Sequence, residues 1–441
     1  MDITNEQLLE PKAYNSIKIA IWMYFLLWIF EGALRKWVLP SLATPLLIVR
    51  DPVAIYIILR ALNLKIKFIT PYIVLSLIFT LLSLAIALCF GHGNLFVGLY
   101  GARIMLVHFP LIFVIGQVFT KEDVLKMGRF LLVMNIFMTI IVYLQFTSPQ
   151  TAMINVGIGG EGSAGFSGAM GYSRPPGTFS FISGLASFYT AVSVFIFYFW
   201  LSKERCSKIL LIISTVTLVI ALPLTISRGA VVAVLIVALF AVIASVTSSK
   251  MIVKLVLSTF AFSLMIYALQ EYSSTFKLGI EVFMDRVDSA NKSTAGGGLK
   301  DSIFLRIFND LAEPISDLFS QPIFAGNLGM GTNAGAQMLN GKITFLIAET
   351  EFGRLGGEQG IIFGGGLIIL RIILAMSMAV QSFKLPKEEK LLPFILCGAA
   401  VVTIMQGQWA QPSILGYATI MAGLVLAILT KAETPLQKTD L

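Results

Sequence analysis

The sequence predicts an all-α polytopic membrane protein with about 12 transmembrane helices and a large extracytoplasmic loop between spans 9 and 10. Three observations lead there. Hydrophobic residues make up 57% of the 441 positions and charged residues only 13%, whereas soluble domains carry about a quarter charged residues. The apolar residues gather into runs of the roughly 20 positions that a helix needs to cross the hydrocarbon core. Lys and Arg lie between those runs and favour alternate loops, the asymmetry expected when the cytoplasmic side retains the basic segments.

The runs fall at 16–38, 42–62, 68–90, 95–119, 124–146, 178–202, 207–226, 229–248, 251–270, 359–382, 391–409 and 413–430. The first follows MDITNEQLLEPKAYN, which opens with acids rather than a basic n-region. That run is too long for a cleaved signal peptide, so the span is expected to stay in the mature chain. The second contains Arg50, Asp51 and Pro52, where Asp51 could cap a helix starting at Pro52, and a broken or re-entrant span is the alternative to a full crossing. With the N-terminus inside, the cytoplasmic loops hold Lys65, Lys67, Lys121, Lys126, Lys203, Arg205, Lys208, Lys250, Lys254, Lys384, Lys387 and Lys390, and the tail adds Lys431 and Lys438. Both termini are then expected to be cytoplasmic. Arg35, Lys36, Arg174 and Arg228 are the exceptions, basic residues left on the outer face.

The chain divides into spans 1–9 over residues 1–270, the loop 271–358, and spans 10–12 with a tail over 359–441. Residues 147–177 interrupt the first part, and their GIGGEGSAGFSGAMGYSRPPG is too rich in Gly and Ser to be helical throughout, reading as a mobile flap. The large loop contains amphipathic stretches such as SIFLRIFNDLAEPISDLF, suited to short helices at the membrane surface.

The formal net charge of +8 does not point to nucleic acid, because no basic run is interleaved with aromatics in a polar segment. Cys89, Cys206 and Cys397 have no paired spacing, which argues against a disulfide framework or a thiolate metal site. His92 and His108 are too few for a metal set. The stretch Pro322–Thr332 is Gly-rich but lacks the βαβ setting of a nucleotide loop. No metal, nucleotide or other cofactor is expected.

Two constellations remain. Outer-face basic residues, Arg174 before Pro175-Pro176-Gly177, Arg228 in the Ser227–Ala230 turn, Arg286, Arg306, Lys342 and Arg354 in the loop, and Arg103 with His108 inside span 4, could converge on a diphosphate. The alternative is an ordinary interfacial snorkeller, a reading that suits Arg286 and Arg306 in their polar loop better than Arg228 and Arg103, whose charge at membrane depth is costly. His108 is read as a satisfied packing residue. The second constellation is acidic: Glu349, Glu351, Arg354 and Glu358 precede span 10, and a helix there would place Glu351, Arg354 and Glu358 near one face. A carboxylate beside Arg could act as general base toward a sugar hydroxyl, or the set could be an ion pair solvating a helix end.

At these residues the sequence resembles the O-antigen polymerase and O-antigen ligase family of bacterial membrane glycan-assembly proteins. The motifs are SRGA at 227–230, RPPGTFSFISG at 174–184, PIFAGNLGMGTNAG at 322–335 and ETEFGRLGGEQGIIFGG at 349–365, in the family's order. The resemblance implies a donor carried on undecaprenyl diphosphate, metal- and nucleotide-independent glycosyl transfer on the outer face, and work alongside a chain-length regulator. It assigns Arg228 to the lipid diphosphate and makes Arg306 or Arg286 the second loop arginine. Ligases of the family carry a His nine residues before the glutamate that leads into the next span. Counting back from Glu358 reaches Glu349, a departure that favours a polymerase of O-antigen or exopolysaccharide repeat units over a ligase. The expected chemistry has Glu349 or Glu351 accepting the acceptor proton, with Arg228, Arg174 and Arg103 stabilising the leaving diphosphate. A flippase or other transporter is the rival, disfavoured by the absence of a two-half repeat.

Overall fold

The computed structural model describes residues 3–160, 162, 166–245, 264, 266–293, 318–341, 347–348 and 350–433. Among them, nine helices are long and apolar enough to cross a membrane, and the chain is a multi-pass helical bundle. Helix α1 (Ile3–Ala33) runs into a π-helical turn, Leu34–Val38. Then follow α2 (Asp51–Asn63), α3 (Pro71–Cys89), α4 (Leu95–Arg103), a second π turn (Ile104–His108), α5 (Phe109–Val118) and α6 (Lys121–Thr147). Helix α6 begins at a capping box in which Thr120 and Asp123 satisfy each other's backbone N–H groups. Helices α7 (Ile182–Leu201), α8 (Lys208–Leu224) and α9 (Arg228–Ser245) continue the bundle. After α10 (Ser274–Ser293) and α11 (Asn333–Asn340) come α12 (Glu351–Lys384), α13 (Lys387–Gln406) and α14 (Pro412–Glu433).

The expected second span does not form as one helix. Residues 40–48 make two 3-10 turns, each led by a proline, and α2 is only 13 residues long. At 1.5 Å per residue it covers about 20 Å of a roughly 30 Å core. The physical reason lies in Arg50 and Asp51, which are held by buried charges of other helices rather than carried across lipid. Helix α8, in the seventh expected span, has 17 residues and ends through Pro223. Of the expected ninth span, 251–263 and 265 fall outside the described residues, as do 294–317, 342–346 and 349 of the loop 271–358.

The Gly-rich segment is not simply a flap. It carries two 3-10 turns and an antiparallel hairpin of β1 (Phe166–Ala169) and β2 (Tyr172–Arg174), turned by Met170 and Gly171, both at positive φ, as two-residue hairpin loops require. Phe146 stacks on Tyr172 at 4.8 Å and Phe166 lies 5.7 Å from Phe181, so the hairpin is fastened to the ends of α6 and α7. Trp28 anchors the core between Phe25, Phe179, Phe188 and Tyr417, and its indole N–H donates to Ser413 O at 2.8 Å. This meets the usual need of a buried indole for a polar partner.

Candidate functional site

The charged residues of the interior collect at the end of the bundle where α1 finishes and α4, α7, α9, α12 and α14 begin. Glu31 on α1 and Arg35 in the π-helical turn that follows stand 3.5 Å from each other, and Arg50 reaches Glu31 at 3.2 Å. Arg35 Nε donates to Ala43 O at 2.7 Å and its Nη1 to Ser180 Oγ at 3.0 Å, while Arg50 donates to Pro412 O. Lys36 donates to the carbonyls of Gly177 and Phe179 at 2.7 and 2.9 Å, which ties the RPPGTF entry of α7 to the end of α1. Asp51 takes Arg103 on both oxygens, at 2.8 and 3.0 Å. With Nε2 of His108 donating to Asp51 at 2.9 Å, its Nδ1 accepts from Tyr24 at 2.8 Å. His108 is thus a satisfied packing residue, and Asp51, the first residue of α2, serves Arg103 and His108 instead of capping. Arg103 lies 4.1 Å from the centre of the Tyr100 ring. Two buried guanidiniums, Arg35 and Arg50, and the partly buried Arg103 here face two carboxylates, Glu31 and Asp51. Even before Lys36 is counted, this corner carries an excess positive charge, which interiors do not hold without a reason.

A second network is balanced. Arg354 grips Glu351 through Nε at 3.0 Å and Nη2 at 2.9 Å, and Glu358 through Nη1 at 2.6 Å. The three share one helix face, as their spacing predicts. Arg371, fully buried, reaches Glu351 at 2.5 Å, donates to Ile404 O and Gly407 O at 2.7 and 2.9 Å, and lies 3.9 Å from the centre of the Trp409 ring. Twenty residues of straight helix would set Glu351 and Arg371 about 30 Å apart. They meet because the chain reverses at Gly360, whose φ of 79° and ψ of −179° are open to glycine alone. Residues 351–359 therefore fold back as a short helix, and the 322–324 segment fills the break by accepting from Ile361 and Ile362 N–H. Glu358 in turn accepts from Gly331 N at 2.8 Å. The 326–335 segment is pressed against α4, where a Cβ on Gly329 would stand 2.1 Å from Val97 O and one on Gly101 2.6 Å from Gly329 Cα.

Between these networks lies a cavity of about 300 Å³. Arg35, Tyr100 and Phe181 line one part of it, Gly331, Asn333 and Gln337 another, and Ala410–Pro412 a third. No carboxylate lines it among the described residues. Arg35 Nη2 donates to nothing among the described residues, leaving one edge of that guanidinium open to the cavity.

The sequence-predicted residues divide around this cavity. Arg103 stands behind Tyr100, and Arg354 and Glu358 stand behind Gly331. Glu351 lies deeper, with both oxygens taken by arginines. The expectation that Glu351 accepts a proton meets a carboxylate already committed to two guanidiniums. Arg174 and Arg286 come together at the hairpin: burial, and next the charge of Arg286, depress the Arg174 pKa. Arg174 Nε donates to Ser167 O at 3.1 Å, and its cross-strand partner Phe166 touches Phe181 of the cavity wall. Arg228 opens α9, half-buried, next to Ile226, which packs under Gly168 of the hairpin. Ile226 has φ +48°, a costly conformation for a β-branched residue, of the kind that functional turns retain. Glu349 and Arg306 lie outside the described residues.

Sequence reasoning did not assign Arg50, Arg371 or Asn333 to the site, and noted Arg35 only as a basic residue on the unexpected side. A charge inside an apolar span was the available signal for Arg371; Asn333 carried none. Comparison with protein-family models, with curated proteins and with solved structures finds no match to this chain. What fold and site define is a polytopic α-helical membrane protein with a partly unbalanced cationic cavity at one end of its bundle.

Proposed function

We propose that this protein is a membrane glycosyltransferase that polymerises undecaprenyl-diphosphate-linked oligosaccharide repeat units into a surface polysaccharide on the outer face of the bacterial inner membrane. The observation that carries this reading is the excess of guanidinium around a cavity that no carboxylate lines among the described residues, which suits a ligand bearing a compact multiple negative charge. The sequence motifs at 174–184, 227–230, 322–335 and 349–365 support it, since the first three border the cavity or its hairpin and the fourth forms the network behind it.

In this reading the open edge of Arg35, with Arg174, Arg286 and Arg228 at the hairpin, receives the diphosphate. Arg103 contributes its charge from behind Tyr100. An acceptor hydroxyl oxygen bonds to the anomeric carbon of the donor as the bond from that carbon to the diphosphate oxygen breaks, and the lipid diphosphate leaves with the electron pair. The hydroxyl proton goes to Glu349. Glu351 and Glu358 orient Arg354 instead, because each is already bound to it. Preorganised cations at the leaving group in a site shielded from water are worth several kcal/mol of barrier.

The test is purified protein in liposomes with a lipid-diphosphate oligosaccharide. Longer chains without added metal or nucleotide are expected, and Arg35→Met or Glu349→Gln should reduce lengthening at least a hundredfold at normal membrane levels. Passage of the substrate across the bilayer without lengthening would overturn the reading in favour of a transporter.

A further inference from the structure

Tyr100 stands near the end of α4, three residues before Arg103, a spacing that puts the two side chains side by side. Arg103 lies 4.1 Å from the centre of the Tyr100 ring and donates through Nη1 to both oxygens of Asp51, which also takes His108. The guanidinium is thus held from behind and cannot turn toward the cavity without leaving its carboxylate. The phenol in front of it lines the cavity together with Arg35. No acceptor among the described residues takes the Tyr100 O–H, and its oxygen is not sealed from solvent. The hydroxyl is therefore free to donate into the space that the side chain lines.

We infer that Tyr100 is a catalytic residue whose hydroxyl donates a hydrogen bond to the diphosphate oxygen that parts from the sugar. The inference rests on the reading above that a lipid diphosphate is the leaving group. In the intact donor that oxygen bridges phosphorus and the anomeric carbon and carries little charge. As the carbon–oxygen bond breaks, the electron pair passes to it, and a hydrogen bond made there strengthens as the charge grows. The proton stays on the phenol. Arg103 polarises the O–H from behind the ring and offsets the charge that arrives in front, while the open edge of Arg35 holds other phosphate oxygens. A guanidinium in place of the phenol would grip donor and leaving group alike. An interaction that strengthens only as the bond breaks lowers the barrier instead.

The experiment uses the full chain in nanodiscs with two probes, a short-chain prenyl diphosphate and the same diphosphate esterified to glucose. Tryptophan fluorescence titration reads both affinities, and the liposome assay above reads chain lengthening. The bare diphosphate presents as a free, charged oxygen the one that the ester ties to the sugar. Tyr100→Phe keeps the ring and should bind the ester within about threefold of the wild type, which also shows that the cavity still folds. Its affinity for the bare diphosphate should fall about tenfold, which is what one hydrogen bond to a charged group supplies. Lengthening should fall about a hundredfold, as on loss of one donor to a developing oxyanion. An equal change in the two affinities, or lengthening at the wild-type rate, overturns the inference and leaves the glycan reading standing. A wild type that binds neither probe overturns that reading, and the inference with it.

Discussion

Replacing Arg371 with Met leaves Glu351 facing Arg354 alone and turns a neutral set of two arginines and two glutamates into one with a net negative charge. It also strands Ile404 O and Gly407 O, which Arg371 now satisfies at 2.7 and 2.9 Å, and removes the stack on Trp409. Removing one partner of a buried ion pair costs about 3–5 kcal/mol, chiefly through the uncompensated charge left behind. The same argument says that removing both partners should cost less. In Arg371→Met/Glu351→Gln, Arg354 and Glu358 remain as a balanced pair at 2.6 Å, and only the two carbonyls at the end of α13 stay unsatisfied. The double variant should therefore be more stable than Arg371→Met, with a favourable coupling of about 1–3 kcal/mol between the two sites. Thermal unfolding in detergent, followed by tryptophan fluorescence and by retention of the monodisperse peak, measures it. If the double variant loses as much as the two single variants together, the four residues do not act as one network, and the account of Arg371 as the link between Glu351 and the end of α13 fails.

Other outcomes follow from single contacts. Gly329→Ala places a methyl group against Val97 O at a backbone φ of +90°; strain alone costs about 1–3 kcal/mol, and hydrogen exchange across 326–335 should rise while that of α14 stays unchanged. Lys36→Met strands the Phe179 carbonyl at about 1–3 kcal/mol, while Gly177 O keeps Gln145 Nε2 at 3.2 Å; a lower unfolding midpoint is expected, and an unchanged one would deny the tie between α1 and the α7 entry. Arg174→Glu replaces a like-charge neighbour of Arg286 with an opposite one. Because Arg174 is partly exposed, the gain in stability should be only a few tenths of a kcal/mol, while binding of prenyl diphosphate falls at least tenfold; loss of stability together with binding would make Arg174 a structural residue only.

The sequence by itself determined that this chain lives among lipid, because apolar runs as long as a bilayer is thick have no other solvent in which to be stable. It also placed Glu351, Arg354 and Glu358 on one face, since their spacing is that of a helical turn, and it marked Arg35 and Lys36 as out of pattern. Only the tertiary structure decided where those charges end. The hydropathy of 42–62 could not reveal that Arg50 and Asp51 find partners on α1 and α4, so that the run becomes turns and a short helix. The contact of Arg371 with Glu351 depends on a reversal at Gly360, a property of one residue's backbone that leaves no trace in periodicity. The cavity depends on bringing residues 35, 100, 181, 333 and 411 to one place, and separations of that order are set by packing between helices, which no local pattern encodes.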